Sequence, residues 1–273
     1  MVYAGSESLQ MRQPLRRLRL MTKRRLLGIF AHPDDESRIV GGTLAKYASE
    51  GVAISLVIAT RGEAGECGEP PLCRPEELPQ VREAELREAC AILGVQDLRI
   101  LDYRDGTLDA VDRAGLTGHI VEAIRRVRPH VLLTFGPEGR TLHPDHIAIY
   151  EAATAAFDLA ADAQAYPEQD VPPFSVPKLY YSAIPESQAR STGWRFPSTP
   201  DDEVTVALDI TSWIDQKKRA TNEAHRTQAH DQPFGNLPEA ERWKELSTEY
   251  FHLAAMHSRV RPMREDDFFT GLE

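Results

Sequence analysis

Residues 26–60 read LLGIFAHPDDESRIVGGTLAKYASEGVAISLVIAT, and this stretch decides the fold class. It begins with a short apolar run over 26–31, which is typical of a buried strand. A helical pattern follows over 37–50 and ends at Gly51, and 52–60 is a second apolar run rich in β-branched residues. Strand, helix and strand at this spacing predict a βαβ unit, in which a right-handed crossover joins two parallel strands.

The same alternation continues along the chain. Predicted helices lie at 80–93, 116–127, 144–159, 212–229 and 238–257, and predicted strands at 98–101, 130–135, 178–182 and 204–208. A Pro-rich acidic stretch over 161–177 is predicted to be irregular. These elements predict an α/β fold with a Rossmann-like, doubly wound, mostly parallel sheet and helices on both faces. We expect a single domain over 25–273, preceded by a mobile basic tail over 1–24.

Composition and charge describe an ordinary globular chain. Of its 273 residues, 41% are hydrophobic and 27% are charged, so the chain is long enough to bury a large core. The formal net charge of -10 disfavours binding to nucleic acid or to an anionic membrane surface. No apolar run reaches the length of about 18 residues that a membrane span requires. The sequence leaves self-association open.

The cysteine content favours a reducing compartment. Cys67, Cys73 and Cys90 are too few, and odd in number, for a disulfide framework, so we expect a cytoplasmic protein. Cys67 and Cys73 are near enough in sequence to close one loop or to bind a metal. We nevertheless expect unpaired thiols.

Four ionisable groups follow the first predicted strand. His32, Asp34, Asp35 and Glu36 lie at the sheet edge where an α/β fold normally binds its ligand. Carboxylates this close repel one another unless a cation or solvent relieves them, and His with Asp supplies ligands that Zn²⁺ accepts. The structural alternative is an acidic first helical turn that only complements the helix dipole. These residues alone leave both interpretations open.

A second cluster, His143-Pro144-Asp145-His146, follows the fourth predicted strand at the same edge of the sheet. Pro144 suits the first position of a helix, which places Asp145 and His146 in its first turn, near free backbone N–H groups. Two His-Pro-Asp triplets on corresponding loops are much harder to explain by coincidence than one.

The two clusters together resemble the LmbE/PIG-L family of zinc-dependent N-deacetylases. The resemblance rests on Ala-His-Pro-Asp-Asp-Glu at 31–36 and His-Pro-Asp-His at 143–146, and extends through Gly-Gly-Thr-Leu at 41–44, Thr-Arg-Gly-Glu-Ala-Gly at 60–65, Arg82-x-x-Glu85 and His-Arg-Thr-Gln at 225–228. It implies an enzyme that removes the N-acetyl group from an N-acetylglucosamine-type amino sugar or its conjugate.

By motif position, the resemblance implies that His32, Asp35 and His146 bind Zn²⁺. Three protein ligands leave one coordination position for water, whose pKa zinc lowers towards about 7. A His₂Asp site also accepts Fe²⁺, Co²⁺ or Mn²⁺, so the metal used in the cell is open.

The resemblance also implies three catalytic residues. Asp34 stays unligated and serves as the general base, and His143 donates to the oxyanion. Asp145 orients and charges His143. Either His143 or protonated Asp34 gives a proton to the leaving amine.

Three residues are assigned to substrate binding. Arg61 follows the second strand and suits sugar hydroxyls, a phosphate or a carboxylate, and its alternative is a salt bridge with Glu63 or Glu66. Glu36 is expected to support the site from behind the metal ligands. His225 is expected to line the substrate site, although a lone helical His is more often structural.

The spacing of Arg82 and Glu85 also has a structural alternative, a surface ion pair one helical turn apart. The main alternative function is a metal- or sugar-binding protein without turnover, and another is an amidase for a different N-acyl conjugate. Asp34 and His143 favour an enzyme, because a binding protein has no need for a base beside its metal. The aglycone stays open among thiol precursors, chito-oligosaccharides and other amino-sugar conjugates.

Overall fold

A computed structural model describes residues 23–230, 233–257 and 265–272. Nearly all of the basic tail expected over 1–24 lies outside these residues, and the single-domain assignment over 25–273 stays a prediction. Seven strands form one sheet: β1 (Arg25–Phe30), β2 (Ala53–Thr60), β3 (Asp97–Tyr103), β4 (Val131–Thr134), β5 (Lys178–Ala183), β6 (Val206–Asp209) and β7 (Thr248–Met256). Their order is β3-β2-β1-β4-β5-β7-β6.

Eight α-helices accompany the sheet in the described residues. They are α1 (Asp35–Ser49), α2 (Leu78–Leu93), α3 (Arg113–Val127), α4 (Gly139–Leu142), α5 (Pro144–Leu159), α6 (Glu186–Thr192), α7 (Ile214–Lys218) and α8 (Glu239–Glu245). Helix α1 packs against α2 and α7, whereas α3 packs against α5. The predicted α/β class with a mostly parallel sheet is confirmed. No helix in the described ranges has the length and apolarity to cross a membrane.

The order of the strands creates the crevice that holds the site. Strand β1 pairs in parallel with β2 on one side and with β4 on the other. The strand order therefore reverses at β1, with β2 and β3 on one side and the later strands on the other. At such a switch point the loops that follow the two central strands separate and leave a crevice at their carboxyl ends. The two His-Pro-Asp loops follow β1 and β4, which is why they meet despite their distance in sequence.

The predicted helix over 238–257 is wrong in its second half. Helix α8 ends at Glu245, and β7 then inserts antiparallel between β5 and β6. The alternation of a strand is present, because Glu249, Phe251 and Leu253 are buried. Because Glu249 is charged, the buried positions do not form the alternating apolar pattern that predicts a strand.

The predicted helix over 212–229 is broken into short pieces. A 3₁₀ turn at Thr211–Trp213 leads into α7, a π-helical turn follows at Arg219–Ala224, and a second 3₁₀ turn covers Arg226–Gln228. His225 separates the last two with φ -80° and ψ 60°, outside the helical range. The break turns the His225 side chain into the protein interior, where it is fully buried.

The expectation of unpaired thiols is wrong for two of the three cysteines. Cys67 and Cys73 form a disulfide that closes the loop between β2 and α2, with their Cα atoms 5.4 Å apart. The loop turns back on itself, since the Leu72 N–H donates to the Cys67 carbonyl at 2.7 Å. Cys90 is buried and unpaired among the described residues.

A buried glutamate explains the Gly-Gly-Thr motif of α1. The helix is irregular at Val40, and the N–H groups of Gly42 and Thr43 donate to the Glu249 carboxylate at 3.0 and 2.8 Å. A side chain at Gly42 would place its Cβ 2.5 Å from Ile210, so only glycine permits this approach. Lys217 Nζ donates to the same carboxylate at 2.5 Å, and both charged groups are buried.

Replacing Glu249 by Gln is expected to destabilise the fold by about 3–5 kcal/mol, because Lys217 then stays buried without a counter-charge. The free energy of unfolding from urea titration measures this loss. Glu241→Gln, on the exposed face of α8, is the matched control and should stay within about 0.5 kcal/mol of the wild type. Equal stability of the two variants would show that the buried pair contributes nothing.

Candidate active site

The three predicted metal ligands meet at the carboxyl ends of β1 and β4. His32 Nδ1 lies 3.1 Å from His146 Nε2 and 3.6 Å from Asp35 Oδ2. Asp35 Oδ1 lies 3.4 Å from His146 Nε2, and all three side chains are buried. Tetrahedral ligands at 2.0–2.2 Å from Zn²⁺ are roughly 3.3–3.6 Å apart, so these atoms have the spacing of a metal site.

The hydrogen bonds around the two imidazoles turn their lone pairs towards each other. His146 Nδ1 lies 2.9 Å from the Gly139 carbonyl and therefore carries the proton, which leaves Nε2 unprotonated. His32 Nε2 faces Asp105 at 3.0 Å and Asp145 at 3.1 Å, which assigns a proton to Nε2 and leaves Nδ1 free to coordinate. The inner nitrogens of His32 and His146 and the Asp35 carboxylate face one another, and a bound cation, or in its absence a proton on His32 Nδ1, satisfies this contact. The donor set fits Zn²⁺, and it also fits Fe²⁺, Co²⁺ or Mn²⁺.

The carboxylate of Asp145 lies against His32, not against His143 as predicted. Its two oxygens accept from the backbone N–H groups of Gly106 at 2.7 Å and Leu108 at 2.9 Å. Burial alone would raise the pKa of Asp145, but the bonds from His32 and the two N–H groups hold it below its usual range. Asp145 therefore positions His32, a predicted metal ligand, and the prediction that it orients and charges His143 is wrong.

Asp105 completes the contact with His32 and was missed in the sequence. It follows β3 at the same edge of the sheet, and its Oδ2 accepts from the Ala64 N–H at 3.0 Å. Burial opposes the charged form of His32, yet hydrogen bonds with Asp105, Asp145 and Asp35 raise its pKa well above the usual range. An acidic residue two positions after a third strand was the signal that could have found it.

Asp145→Asn is expected to weaken metal binding by about 10- to 100-fold, because His32 loses an oriented carboxylate on its outer nitrogen. Competition with a chromophoric chelator measures the metal affinity of the purified variant. Asp109→Asn changes an exposed aspartate near the same loop and should leave the affinity unchanged. Wild-type affinity in Asp145→Asn would remove its role as a positioning residue.

His143 caps helix α5 and lines the open side of the cluster. Its Nδ1 accepts from the Asp145 N–H at 3.2 Å, which places the ring proton on Nε2. The ring stacks on His146 with centroids 4.8 Å apart, and one of its nitrogens lies within 4.8 Å of a nitrogen of both His32 and His146. The Nε2–H of His143 is therefore placed as a hydrogen-bond donor beside the His/Asp cluster.

Asp34 lies next to the cluster with a strained backbone. Its φ of 114° and ψ of -26° are rare for a residue with a side chain, and such strain costs roughly 1–3 kcal/mol. The carboxylate lies 3.4 Å from Arg38 Nε and 3.5 Å from Arg82 Nη2. Its described charged partners are therefore the guanidinium groups of Arg38 and Arg82.

Arg82 holds the loop that carries Asp34. The alternative of a surface ion pair between Arg82 and Glu85 is wrong. Arg82 is buried and donates to the carbonyls of Pro33 and, at 2.8 Å, Gly62. Gly62 has φ 70°, and a Cβ there would lie 2.2 Å from Arg82 Nη1. Glu85 is buried as well and accepts from the N–H and hydroxyl of Thr227 at 3.0 and 2.6 Å.

The three predicted substrate contacts do not line the cavity among the described residues. Glu36 and His225 are fully buried and share a hydrogen bond of 2.7 Å. Arg61 pairs with Glu83 and, at 2.5 Å, with Asp102, not with the glutamates expected. Glu36 supports the site, because it also accepts from the Asp34 N–H at 3.0 Å. The prediction that Arg61, Glu36 and His225 line the substrate site is therefore wrong.

The crevice is a cavity of about 730 Å³ with the cluster on its wall. His32, Asp34, Asp35, His143 and His146 all line it. Two loops, 193–196 and 233–236, add a wall that contains Trp194, Phe196 and Phe234. The sequence did not predict this wall. Aromatic residues in loops have no regular spacing, so a cavity wall cannot be told from a small hydrophobic core.

Fold and site together define an α/β protein with a candidate divalent-metal site in the crevice at the carboxyl ends of its strands. The sequence model of the family described as PIG-L: GlcNAc-PI de-N-acetylase matches residues 27–157. A 1D-myo-inositol 2-acetamido-2-deoxy-alpha-D-glucopyranoside deacetylase of Rhodococcus jostii is 36% identical over 293 residues, covering 92% of this chain and 99% of the relative. The chain belongs to the PIG-L family and is a hydrolase that removes N-acetyl groups, as the resemblance predicted.

The fold is shared with solved structures of different activity. An N,N'-diacetylchitobiose deacetylase of Pyrococcus horikoshii has a TM-score of 0.64 and 20% identity, covering 84% of this chain and 83% of its own. GalB, a 4-carboxy-2-hydroxymuconate hydratase of Pseudomonas putida, has a TM-score of 0.66 and 20% identity, covering 88% and 99%. Because a deacetylase and a hydratase share the architecture, the activity of this chain rests on its family and its site.

Proposed function

We propose that the protein hydrolyses the acetamide of an N-acetylglucosamine conjugate, with Zn²⁺ or a similar divalent metal held by His32, Asp35 and His146. One observation carries this proposal, the convergence of two imidazole nitrogens and a carboxylate at 3.1 to 3.6 Å. The inositol conjugate named for the Rhodococcus relative supports a polyhydroxylated aglycone. When bound, the metal activates a water molecule and polarises the amide carbonyl.

The chain's own residues then move the protons. Asp34 accepts the proton of the attacking water, since its carboxylate lies in the cavity outside the ligand cluster. His143 donates a hydrogen bond from its Nε2–H to the carbonyl oxygen as negative charge develops there, and it keeps its proton. Because His143 Nδ1 is occupied by the helix cap, we assign the transfer of a proton to the leaving amine to Asp34.

Two earlier expectations remain predictions. The cytoplasmic location rested in part on unpaired thiols, and the Cys67–Cys73 disulfide removes that part of its basis. Self-association is undecided.

Release of acetate and free amine from a substrate panel tests the proposed function. The panel contains N-acetylglucosaminyl-inositol, N,N'-diacetylchitobiose and free N-acetylglucosamine, with metal-free protein reloaded separately with Zn²⁺, Fe²⁺, Co²⁺ or Mn²⁺. We expect equimolar acetate and amine, loss of activity with a chelator, and the highest kcat/KM for the inositol conjugate. Metal-loaded protein that releases acetate from none of the three would favour the binding protein without turnover.

A further inference from the structure

Arg140 occupies an unusual place between β4 and the metal cluster. It directly follows Gly139, whose carbonyl lies 2.9 Å from His146 Nδ1. Its own φ of 64° and ψ of -46° lie in the left-handed region, and Leu142 has φ 61°. Residues with side chains rarely adopt this conformation. The segment that orients His146 therefore also sets the direction of the Arg140 side chain.

The Arg140 guanidinium lacks a carboxylate partner at hydrogen-bond distance within the described ranges. Its contact is with the face of Trp194, whose ring centroid is 5.7 Å from Cζ. Burial lowers the pKa of Arg140 to about 10, against the opposing charges of Glu249 and Asp35, so the group stays charged at neutral pH. A partly buried cation without an anionic partner is suited to an anionic ligand.

Arg140 stands at the boundary between two cavities. Of the described residues, it is the one that lines both the 730 Å³ cavity and a second cavity of about 140 Å³. The second is smaller than the roughly 300 Å³ of pockets that hold drug-sized ligands, so it excludes a sugar conjugate. Its wall includes Ser182, whose buried hydroxyl oxygen has no hydrogen-bond partner among the described residues.

Resting on the proposed deacetylation, we propose that Arg140 binds the carboxylate of the released acid and directs it into the second cavity. Amide hydrolysis yields a bulky amino sugar and a small carboxylate, and the carboxylate forms beside the metal ligands that Arg140 adjoins. A guanidinium binds a carboxylate through two parallel hydrogen bonds. Glu138 and Glu203 also line the second cavity and raise the free energy of an anion there, so the carboxylate is bound at Arg140 and is not retained beyond it.

Binding of ¹³C-labelled acetate to the metal-free full-length protein, followed by NMR titration, tests the Arg140 site without turnover. We expect at least tenfold weaker binding by Arg140→Gln and a smaller loss by Arg140→Lys, which keeps the charge but not the planar donor pair. Arg195→Gln is the matched control, because Arg195 lines the main cavity only. Wild-type acetate affinity in Arg140→Gln, or an equal loss in Arg195→Gln, would overturn the proposal.

Product inhibition separates this proposal from the proposed function. With active enzyme, Arg140→Gln should raise the inhibition constant of acetate at least tenfold and leave that of the amine product unchanged. Equal acetate inhibition constants in wild type and variant would show that Arg140 has no role in acetate release, even if deacetylation is established. A protein that deacetylates nothing would instead fail the proposed function, and the acetate titration would still decide whether Arg140 is a carboxylate site. Melting temperatures of all variants verify that they fold.

Discussion

Asp34→Asn is expected to lower kcat by about 10²- to 10⁴-fold while the bound metal is retained. Asp34 lies beside the ligand cluster but not in it, and its carboxylate is 3.4 Å from Arg38 Nε and 3.5 Å from Arg82 Nη2. The amide keeps the shape of the side chain and tolerates the left-handed backbone, yet it cannot accept a proton. The loss should therefore appear in the chemical step and not in folding.

Steady-state kinetics and metal analysis of the same preparations measure the effect of Asp34→Asn. Asp102→Asn is a matched control, because Asp102 also has a positive φ, lies near the carboxyl end of β3 at the same sheet edge and pairs with an arginine. It lies outside the described lining of the cavity and should keep wild-type kcat. An Asp34→Asn enzyme with full activity would assign the base to another residue.

Removing a metal ligand should have a larger effect on metal affinity than removing the carboxylate behind it. His146→Gln is expected to weaken binding beyond the roughly 10- to 100-fold loss predicted for Asp145→Asn, because a coordinating nitrogen is lost rather than oriented less well. Glutamine is preferred to alanine, since His146 stacks on Phe135 with ring centroids 4.2 Å apart and alanine would leave a gap.

Chelation and reloading provide the measurement. Wild-type protein should lose its activity with the metal and regain it with Zn²⁺, whereas His146→Gln should regain none at the same metal concentration. His143→Gln tests the division of roles, because it should bind the metal like the wild type but turn over more slowly. If His143→Gln lost the metal and His146→Gln kept it, the ligand set proposed here would be wrong.

The sequence by itself determined the parallel core of the sheet and the location of the site. Apolar runs and helical periods are local patterns, and they predicted β1, α1 and β2 to within two residues at each end. Parallel strands also place their carboxyl ends at one edge of the sheet, so the sequence alone predicted that the two His-Pro-Asp loops meet. The family resemblance then supplied roles that spacing alone left open.

Only the tertiary structure decided which side chains become partners. Glu249 made a strand look polar because its counter-charge, Lys217, lies 32 positions away. Asp145 bonds His32 across 113 positions, and Glu36 bonds His225 across 189. Periodicity and motif spacing describe neighbours within a few residues, whereas these pairs form only when the whole sheet brings distant loops to one edge. The sequence did not predict a role for Arg140 either, because the two cavities that it lines are formed by several distant segments.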